Sequence, residues 1–289
     1  MNIRELITKG VETISVAFPE REAREMVLLY MEDVHGVKRL THILEPSAEV
    51  SDEVAESSLS AFARMSSGEP IQYIIGKAHF YGREFNVNPS VLIPRPETEV
   101  LCREVILHCR KGSQPKVLDM CTGSGCIAWT LAMEIPGADV IGVDISDGAL
   151  AVAGSQDSSE RNASAPRFFK ADVLGEIPSD LAGQSFDIIV SNPPYVMDSE
   201  KALMRANVLD HEPHLALFVP DDDPLLFYRA VARWASHLLA PDGFGIVEIN
   251  EALGPETAEV FKEAGFRNVE VVYDLSDRHR FVRFCGKFV

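Results

Sequence analysis

One short segment places an amide, two prolines and a phenol directly after an apolar run. Residues 186–190 have the length and β-branched content of a buried strand, and Asn192, Pro193, Pro194 and Tyr195 follow after a single serine. Because proline cannot continue a hydrogen-bonded strand, the chain turns abruptly here. Proline offers a carbonyl oxygen but no N–H, so the turn is rich in hydrogen-bond acceptors.

Such a turn suits a substrate that carries a planar –NH₂ group. Asn192 Oδ1 would accept one proton of that group, the carbonyl oxygen of Pro193 would accept the other, and Tyr195 would stack on its plane. The alternative is an ordinary strand-ending turn with a surface tyrosine. The prolines alone do not decide between these two interpretations.

A second candidate site lies at residues 117–126, where the pattern predicts a strand, a glycine-containing turn and a helix. Glycines let the backbone approach a ligand closely, and a helix N-terminus offers free N–H groups. The turn is not a phosphate-binding loop, because no Gly-Lys-Ser/Thr sequence follows. Asp119, at the strand end, would repel phosphate but suits a cationic amino group.

Two further aspartates end the next predicted strands. Asp144 lies where a carboxylate binds ribose hydroxyls in folds of this kind, and Asp172 suits an adenine amino group. Either aspartate alone is well explained as a helix cap. Together with the glycine turn, the three acids favour a positively charged nucleoside, which is S-adenosylmethionine (product S-adenosylhomocysteine). The residues predicted to bind it are Asp119, Cys121, Thr122, Gly123, Gly125, Asp144, Asp172 and Asn192.

The elements that must position these residues alternate between strands and helices after residue 115. We predict strands over 116–120, 138–144, 167–171, 186–191, 244–250, 268–273 and 280–287, and helices over 125–134, 148–161, 223–239 and 255–264. Repeated β-α-β units predict an α/β fold with a doubly wound, mostly parallel sheet. The closing pair of strands has no helix between them and predicts at least one antiparallel strand.

The first part of the chain has a different pattern. Residues 1–68 show helical periodicity, with Pro19 at a plausible first helical position, Gly36 at a helix end and Ser51 as a cap. From residue 78 to 87 the period changes to two around a glycine, as in a hairpin. The pattern predicts a small N-terminal helical bundle joined by a β-hairpin to the α/β part.

Composition limits the classes of protein and partner. The chain has 289 residues, of which 46% are hydrophobic and 25% charged, as in ordinary globular proteins. No apolar segment approaches the roughly 18 residues that span a bilayer, and the N-terminus lacks a signal-peptide pattern, so we predict a cytoplasmic protein without a membrane partner. The five cysteines include no CxxC pair, which argues against a metal site.

The acidic net charge of the chain argues against tight binding to nucleic acid. The net charge is −17, both residues 1–89 and residues 90–289 are acidic overall, and there is no run of Lys and Arg. Proteins that track a phosphate backbone need a basic face.

The chain resembles the release-factor glutamine methyltransferases, the HemK/PrmC family of S-adenosylmethionine-dependent enzymes with a Rossmann-like fold. The resemblance covers nearly the whole chain. It rests on Gly-Arg-Glu-Phe at 82–85, Leu-Ile-Pro-Arg-Pro-Glu-Thr-Glu at 92–99, the turn at 119–125, Asp144, Ser-Asn-Pro-Pro-Tyr at 191–195, Glu-Pro at 212–213 and Leu-Ala-Leu-Phe at 215–218. Two departures stand out, the turn at 277–280 and Cys121, where the family usually has glycine.

The resemblance implies transfer of a methyl group from S-adenosylmethionine to the side-chain amide nitrogen of a glutamine in peptide chain release factors, without a metal. It implies catalytic roles for Asn192, Pro193, Pro194 and Tyr195. It also implies substrate contacts from Asn192, Pro193, Tyr195, Arg95 and Glu97, and a division of the chain into a substrate-docking domain over 1–75, a hairpin and linker over 76–96 and a methyltransferase domain over 97–289.

A carboxamide nitrogen is a poor nucleophile, so its alignment should matter more than a general base. His79, His211 and His214 are therefore given no catalytic role. The main alternative is a nucleic-acid amino methyltransferase that acts on adenine or guanine, because the same Asn-Pro-Pro-Tyr motif serves those substrates. A third interpretation, a partner-binding protein with a vestigial cofactor fold, conflicts with the intact motif.

Overall fold

The computed structural model describes residues 1–110, 112–156, 164–274 and 277–287. It divides into two compact units. The first comprises Met1–Lys77 and Met204–Glu212, and the second comprises Ala78–Leu203 and the chain from Pro213 onward. The hairpin and linker predicted at 76–96 thus fall almost entirely in the second unit, and the first unit gains a late segment that the sequence did not indicate.

The first unit is helical, as predicted. Its helices are α1 (Ile3–Ile14), α2 (Glu20–His35), α3 (Thr41–Leu44), α4 (Asp52–Ser66) and α5 (Ile71–Ile75), and the late segment adds Ala206–His211. Helix α1 begins with a capping box between Asn2 and Glu5, and Ser51 caps α4 by accepting from Val54 N–H. Pro19 lies one residue before the helix that it was expected to begin, as the N-cap of α2.

Close packing around one glycine joins the helices of this unit. A Cβ on Gly10 of α1 would lie 2.7 Å from Phe62 Cε2 and 2.9 Å from Val27 Cγ2. Glycine is therefore required where α1 meets α2 and α4. The apolar stripe of α1 and the facing residues of the other helices form a core of their own.

The second unit is an α/β domain. In chain order its elements are β1 (Lys77–Phe80), β2 (Arg83–Asn86), α6 (Thr98–His108), β3 (Lys116–Met120), α7 (Cys126–Glu134), β4 (Asp139–Asp144), α8 (Asp147–Gly154), β5 (Arg167–Lys170), β6 (Phe186–Ser191) and β7 (Val196–Met197). After the late segment of the first unit, which holds α9 (Ala206–His211), come β8 (Phe218–Val219), α10 (Leu226–Leu238), β9 (Leu239–Glu248), α11 (Gly254–Glu263), β10 (Arg267–Tyr273) and β11 (His279–Cys285).

The main sheet has seven strands in the order β10-β11-β9-β6-β3-β4-β5. Strands β5, β4, β3, β6 and β9 run parallel, while β11 is antiparallel to both β9 and β10. This confirms the predicted mostly parallel sheet with an antiparallel closing pair. Apolar cores cover both faces, one built with Trp234 and Phe261 and the other with Leu101 and Trp129.

The sheet topology fixes where a ligand can bind. From β3 the chain proceeds through β4 and β5 on one side and then returns to β6 on the other side of β3. In open α/β sheets, ligands bind outside the carboxyl ends of the strands at such a reversal. The turns after β3 and β6 begin with Cys121 and Asn192, and they lie on either side of this point.

The hairpin of β1 and β2 turns through Tyr81 and Gly82, both with positive φ, as in a type I′ turn. Gln156 connects this hairpin to the glycine turn. Its Oε1 accepts from Asn86 N–H at 2.8 Å, and its Nε2 donates to the carbonyl oxygen of Ser124 at 3.0 Å. The hairpin thereby supports the turn that follows β3.

Candidate active site

A pocket of about 460 Å³ lies at the carboxyl edge of the sheet. This volume is within the usual range for small-molecule sites, about 300–1,000 Å³. The predicted site residues that it brings together are Arg95, Cys121, Thr122, Gly123, Asp144, Asp172, Asn192 and Pro194. Five others lie outside the lining: Glu97, Asp119, Gly125, Pro193 and Tyr195.

The glycine turn after β3 has left-handed backbone conformations. Gly123 and Gly125 have φ of 55° and 78°, and Cys121 has φ of 61°. A Cβ on Gly125 would meet Ala153 Cβ at 3.0 Å and the rings of Trp129 and Phe168, so glycine is required there. A Cβ on Gly123 would meet no protein atom within 4 Å, so this backbone faces open space on the pocket side.

Asp144 is held by two backbone donors. Gly123 N–H donates to its Oδ2 and Ser146 N–H to its Oδ1, each at 2.9 Å. Burial raises the pKa of this carboxyl, and the two N–H groups oppose the rise. Asp144 therefore has a fixed orientation at the pocket edge, with lone pairs left on both oxygens.

Asp172 is exposed in the loop after β5, where its Oδ1 accepts from Leu174 N–H at 2.9 Å. This loop is fixed from behind by α10. The Arg233 guanidinium donates to the carbonyl oxygens of Val173, Leu174 and Gly175 at 3.1, 3.0 and 2.7 Å. The position of Asp172 thus depends on a side chain that the sequence did not single out.

Asp119 is fully buried, and Thr122 Oγ1 donates to its Oδ2 at 2.6 Å. Burial raises the pKa of this carboxyl to about 7, while hydrogen bonds from Thr122 and the Ala128 N–H oppose the rise. Contact between Asp119 and a cationic amino group stays a prediction. Cys121, in contrast, lines the pocket, and burial beside Asp144 and Asp119 raises the pKa of its thiol, which is therefore neutral.

The Asn-Pro-Pro-Tyr turn begins directly after β6, as predicted. Asn192 borders the pocket, and its Nδ2 donates to Thr98 Oγ1 at 3.3 Å. The Tyr195 hydroxyl donates to Glu248 Oε1 at 3.0 Å, and burial together with that carboxylate raises the pKa of the phenol. Stacking of Tyr195 on a substrate stays a prediction.

Three residues that sequence reasoning left without a role support this turn. Thr98 is the first residue of α6, and its Oγ1 donates to Glu248 Oε2 at 2.7 Å. Asn250 Nδ2 donates to the carbonyl oxygen of Tyr195 at 3.1 Å. Glu248 was detectable in the sequence as the one acid inside the apolar run 244–249, because a buried carboxylate requires partners.

The two residues before α6 that were expected to contact substrate differ in their position relative to the pocket. Arg95 lines the pocket, whereas Glu97 is the N-cap residue of α6 and lies outside the lining. Substrate contacts from either residue stay predictions.

The described residues contain no group of three or more His, Cys, Asp or Glu side chains that could hold a metal ion. Within the same residues, no helix is both long and apolar enough to cross a bilayer.

The arrangement therefore combines a nucleoside-type pocket with a rigid acceptor for amide or amine protons. Asp144 and Asp172 follow β4 and β5, which lie on one side of β3, and Asn192 follows β6 on the other side of β3. Such a site can hold a charged nucleoside and an –NH₂ group next to each other.

Two protein families match the chain. The family described as PrmC N-terminal domain matches residues 5–76, and the family described as Methyltransferase small domain matches residues 98–215. The first match covers most of the helical unit, and the second covers the strands that form the pocket.

Curated relatives match over nearly the full length. A release factor glutamine methyltransferase of Flavobacterium psychrophilum is 38% identical over 98% of this chain and 99% of its own. Those of Bacteroides thetaiotaomicron and Bacillus subtilis are 39% and 38% identical, over 93% and 90% of this chain and 95% and 90% of their own.

Proposed function

Because the chain belongs to the release factor glutamine methyltransferases, we propose that the pocket at the carboxyl edge of its sheet is where a glutamine side chain is methylated. The enzyme transfers a methyl group from S-adenosylmethionine to the side-chain amide nitrogen of a glutamine in peptide chain release factors. One observation carries the assignment of the site. Asn192, an acceptor for amide protons, and Asp144, the predicted ribose-binding carboxylate, border the same cavity.

The residues around the pocket fit S-adenosylmethionine. Open space at Gly123 leaves room for a ligand against the backbone, and Asp144 has lone pairs for both ribose hydroxyls. Apolar side chains at the pocket, including Ile145 and Phe227, suit the adenine faces, and the exposed carboxylate of Asp172 suits its amino group. Bound there, S-adenosylmethionine supplies a sulfonium methyl group as the electrophile.

The acceptor turn has the task of aligning the nucleophile. Asn192 Oδ1 and the Pro193 carbonyl oxygen accept the two amide protons of the glutamine, which fixes the plane of the amide. Both acceptors also favour the positive charge that develops on nitrogen during transfer. The rigid Pro193–Pro194 backbone and the anchored Tyr195 keep these acceptors in place. No residue of the site is needed as a strong base, because the methylated nitrogen is acidic enough to lose its proton afterwards.

The helical unit, which carries none of these groups, docks the protein substrate. A glutamine in a loop gives the pocket few contacts, so affinity requires a larger surface, of about 1,600 Å² in a standard interface. Ile43 and Leu44 of α3 are 60% and 74% exposed, and Leu40, which directly precedes α3, is 60% exposed, so α3 and its N-cap residue form an apolar surface of this unit. Release factors act on ribosomes, so the enzyme works in the cytoplasm, and its acidic charge disfavours tight binding to nucleic acid.

A labelling experiment tests the function. The protein is incubated with methyl-labelled S-adenosylmethionine and either purified release factor or total RNA. Label should enter release factor and should be lost with Asn192→Ala. Label in RNA instead would favour the alternative of a nucleic-acid amino methyltransferase.

A further inference from the structure

A chain of hydrogen bonds runs from Asn192 into the interior of the second unit. Asn192 Nδ2 donates to Thr98 Oγ1 at 3.3 Å, and Thr98 Oγ1 donates to Glu248 Oε2 at 2.7 Å. The other carboxylate oxygen, Oε1, accepts from the Tyr195 hydroxyl at 3.0 Å. Glu248 is only 1% exposed and Thr98 only 2%. Glu248 therefore contacts Tyr195 directly and Asn192 through the Thr98 hydroxyl. These two residues are the two ends of the Asn-Pro-Pro-Tyr turn.

The chemistry of the groups fixes the direction of every bond in this chain. Glu248 accepts from Thr98 on one oxygen and from Tyr195 on the other, and a threonine hydroxyl has one proton to give. Thr98 must give that proton to Glu248, so towards Asn192 it can only accept. The Asn192 atom that faces Thr98 must therefore be Nδ2, which leaves Oδ1 on the other side of the amide group.

Burial and the neighbouring groups act on the pKa of Glu248 in opposite directions. Burial raises the pKa of its carboxyl and the charge of Glu97, just before α6, adds to this, whereas the hydrogen bonds from Thr98 and Tyr195 and the positive charge of Arg280 on β11 oppose it. Each of the two hydroxyls has one proton, and because both protons go to Glu248, neither Thr98 nor Tyr195 can donate elsewhere.

We propose that Glu248 is a positioning residue that acts through Thr98 to orient the Asn192 amide, so that Oδ1 rather than Nδ2 is offered to the substrate amide. This inference rests on the proposed function of Asn192 and adds the reason for its orientation. In the opposite orientation the enzyme would present an –NH₂ group to the –NH₂ group of glutamine, and neither can accept. The same carboxylate fixes Tyr195, so one buried acid sets both ends of the turn.

Variants that change single hydrogen bonds test this inference in the full-length enzyme. Thr98→Val removes the acceptor for Asn192 at nearly constant volume, and Thr98→Ser keeps it. Glu248→Gln adds an –NH₂ donor, which can force the Thr98 proton towards Asn192. A matched control is Thr257→Val, because Thr257 is also fully buried and its hydroxyl has no hydrogen-bond partner among the described residues.

We expect Thr98→Val and Glu248→Gln to lower kcat for release factor by about 10- to 100-fold, as for outer partners that orient a functional group. Thr98→Ser should restore turnover to within about threefold of the original enzyme, and Thr257→Val should not change it. The Kd for S-adenosylmethionine should stay within about twofold in all variants, which separates loss of orientation from loss of fold.

The comparison with Asn192→Ala separates this inference from the proposed function. If Asn192→Ala abolishes turnover but Thr98→Val keeps the original kcat, Asn192 retains its role and the positioning by Glu248 is wrong. If Asn192→Ala itself keeps full turnover, the proposed role of Asn192 fails and the inference fails with it. Should Glu248→Gln not fold, the Thr98→Val and Thr98→Ser pair decides, because equal turnover in that pair contradicts the inference.

Discussion

The backbone N–H of Gly123 donates to Asp144 Oδ2 over 2.9 Å, which joins the turn after β3 to the carboxylate at the end of β4. The other carboxylate oxygen is held by Ser146 N–H at the same distance. Because each oxygen keeps further lone pairs, Asp144 can accept from a ligand without giving up either bond. The glycine turn and the acid are therefore one preformed unit, and a ligand need not reorganise them.

Asp144→Ala should weaken binding of S-adenosylmethionine at least about tenfold, because hydrogen bonds to a charged group contribute about 1.5–3 kcal/mol each. Calorimetric titration measures the change. Asp147→Ala is the matched control, since Asp147 is exposed on the next helix and pairs with Lys170 at the surface. Equal affinities of the two variants would remove Asp144 from the cofactor site.

Cys121→Gly should stabilise the fold and tighten cofactor binding. Cys121 has φ of 61°, a conformation that costs a residue with a Cβ about 1–3 kcal/mol, and its side chain lines the pocket. Thermal unfolding and calorimetry measure the two effects. Asn268→Gly relieves a φ of 50° outside the pocket and should leave cofactor affinity unchanged. Weaker cofactor binding in Cys121→Gly would mean that the thiol contributes favourable contacts.

The raised pKa of Asp119 predicts how stability depends on pH. The carboxyl titrates near its ordinary value of 3.8 in the unfolded chain and at about 7 in the folded protein. Between these values the folded protein holds a proton that the unfolded chain has released, so the free energy of unfolding falls as pH rises. Asp119→Asn should remove this contribution, with a slope of up to about 1.4 kcal/mol per pH unit. Urea unfolding of the original protein and of Asp119→Asn between these two pH values measures the free energy of unfolding of each. If the two free energies change with pH in the same way, the pKa of Asp119 is not raised in the folded protein.

Asp119 also offers a test of its predicted contact with the cofactor. A cationic amino group nearby would lower the pKa of the carboxyl, so binding of S-adenosylmethionine near pH 6.5 should release protons. Calorimetry in buffers of different ionisation enthalpy counts them. The Asp119→Asn variant should release fewer protons when it binds S-adenosylmethionine. Equal proton release by the two proteins would place the amino group elsewhere.

The sequence predicted β3 and β6 with their observed bounds, because each is a short and largely apolar run that is followed directly by glycine or proline turn signals. It was wrong about the start of β9, which begins at Leu239 rather than 244 and includes Pro241 and Asp242, a polar stretch that is typical of loops. The helix expected over 148–161 ends at Gly154. Residues 157–161 of that prediction lie outside the described residues.

The sequence pattern marks Glu248 as an acid inside an apolar run, but it could not predict which residues that carboxylate meets behind the Asn-Pro-Pro-Tyr turn. Thr98 and Glu248 are 150 residues apart in sequence, and their hydrogen bond depends on how α6 packs against β9. Periodicity reports which face of an element is buried but does not report which residues meet across elements. The short strands β7 and β8 have two residues each and show no period at all.

The final prediction concerns the helical unit. Ile43→Ser with Leu44→Ser should raise the KM for release factor at least about tenfold, because buried apolar anchors at an interface contribute more than about 1 kcal/mol each. Both kcat and the Kd for S-adenosylmethionine should stay the same, since neither residue lies at the pocket. A short glutamine peptide, which has no surface for docking, should be an equally poor substrate for the original and the altered enzyme.

Val16→Ser provides the control, because Val16 is 84% exposed in the same unit but lies between α1 and α2 rather than on α3. Steady-state kinetics with intact release factor distinguish two outcomes. A KM that rises only in the α3 variant identifies α3 as a docking surface, since loss of apolar area at an unused position would leave KM unchanged. Equal KM values for the α3 and Val16 variants would mean that release factor does not bind at α3, and affinity would then have to come from other surfaces of the enzyme.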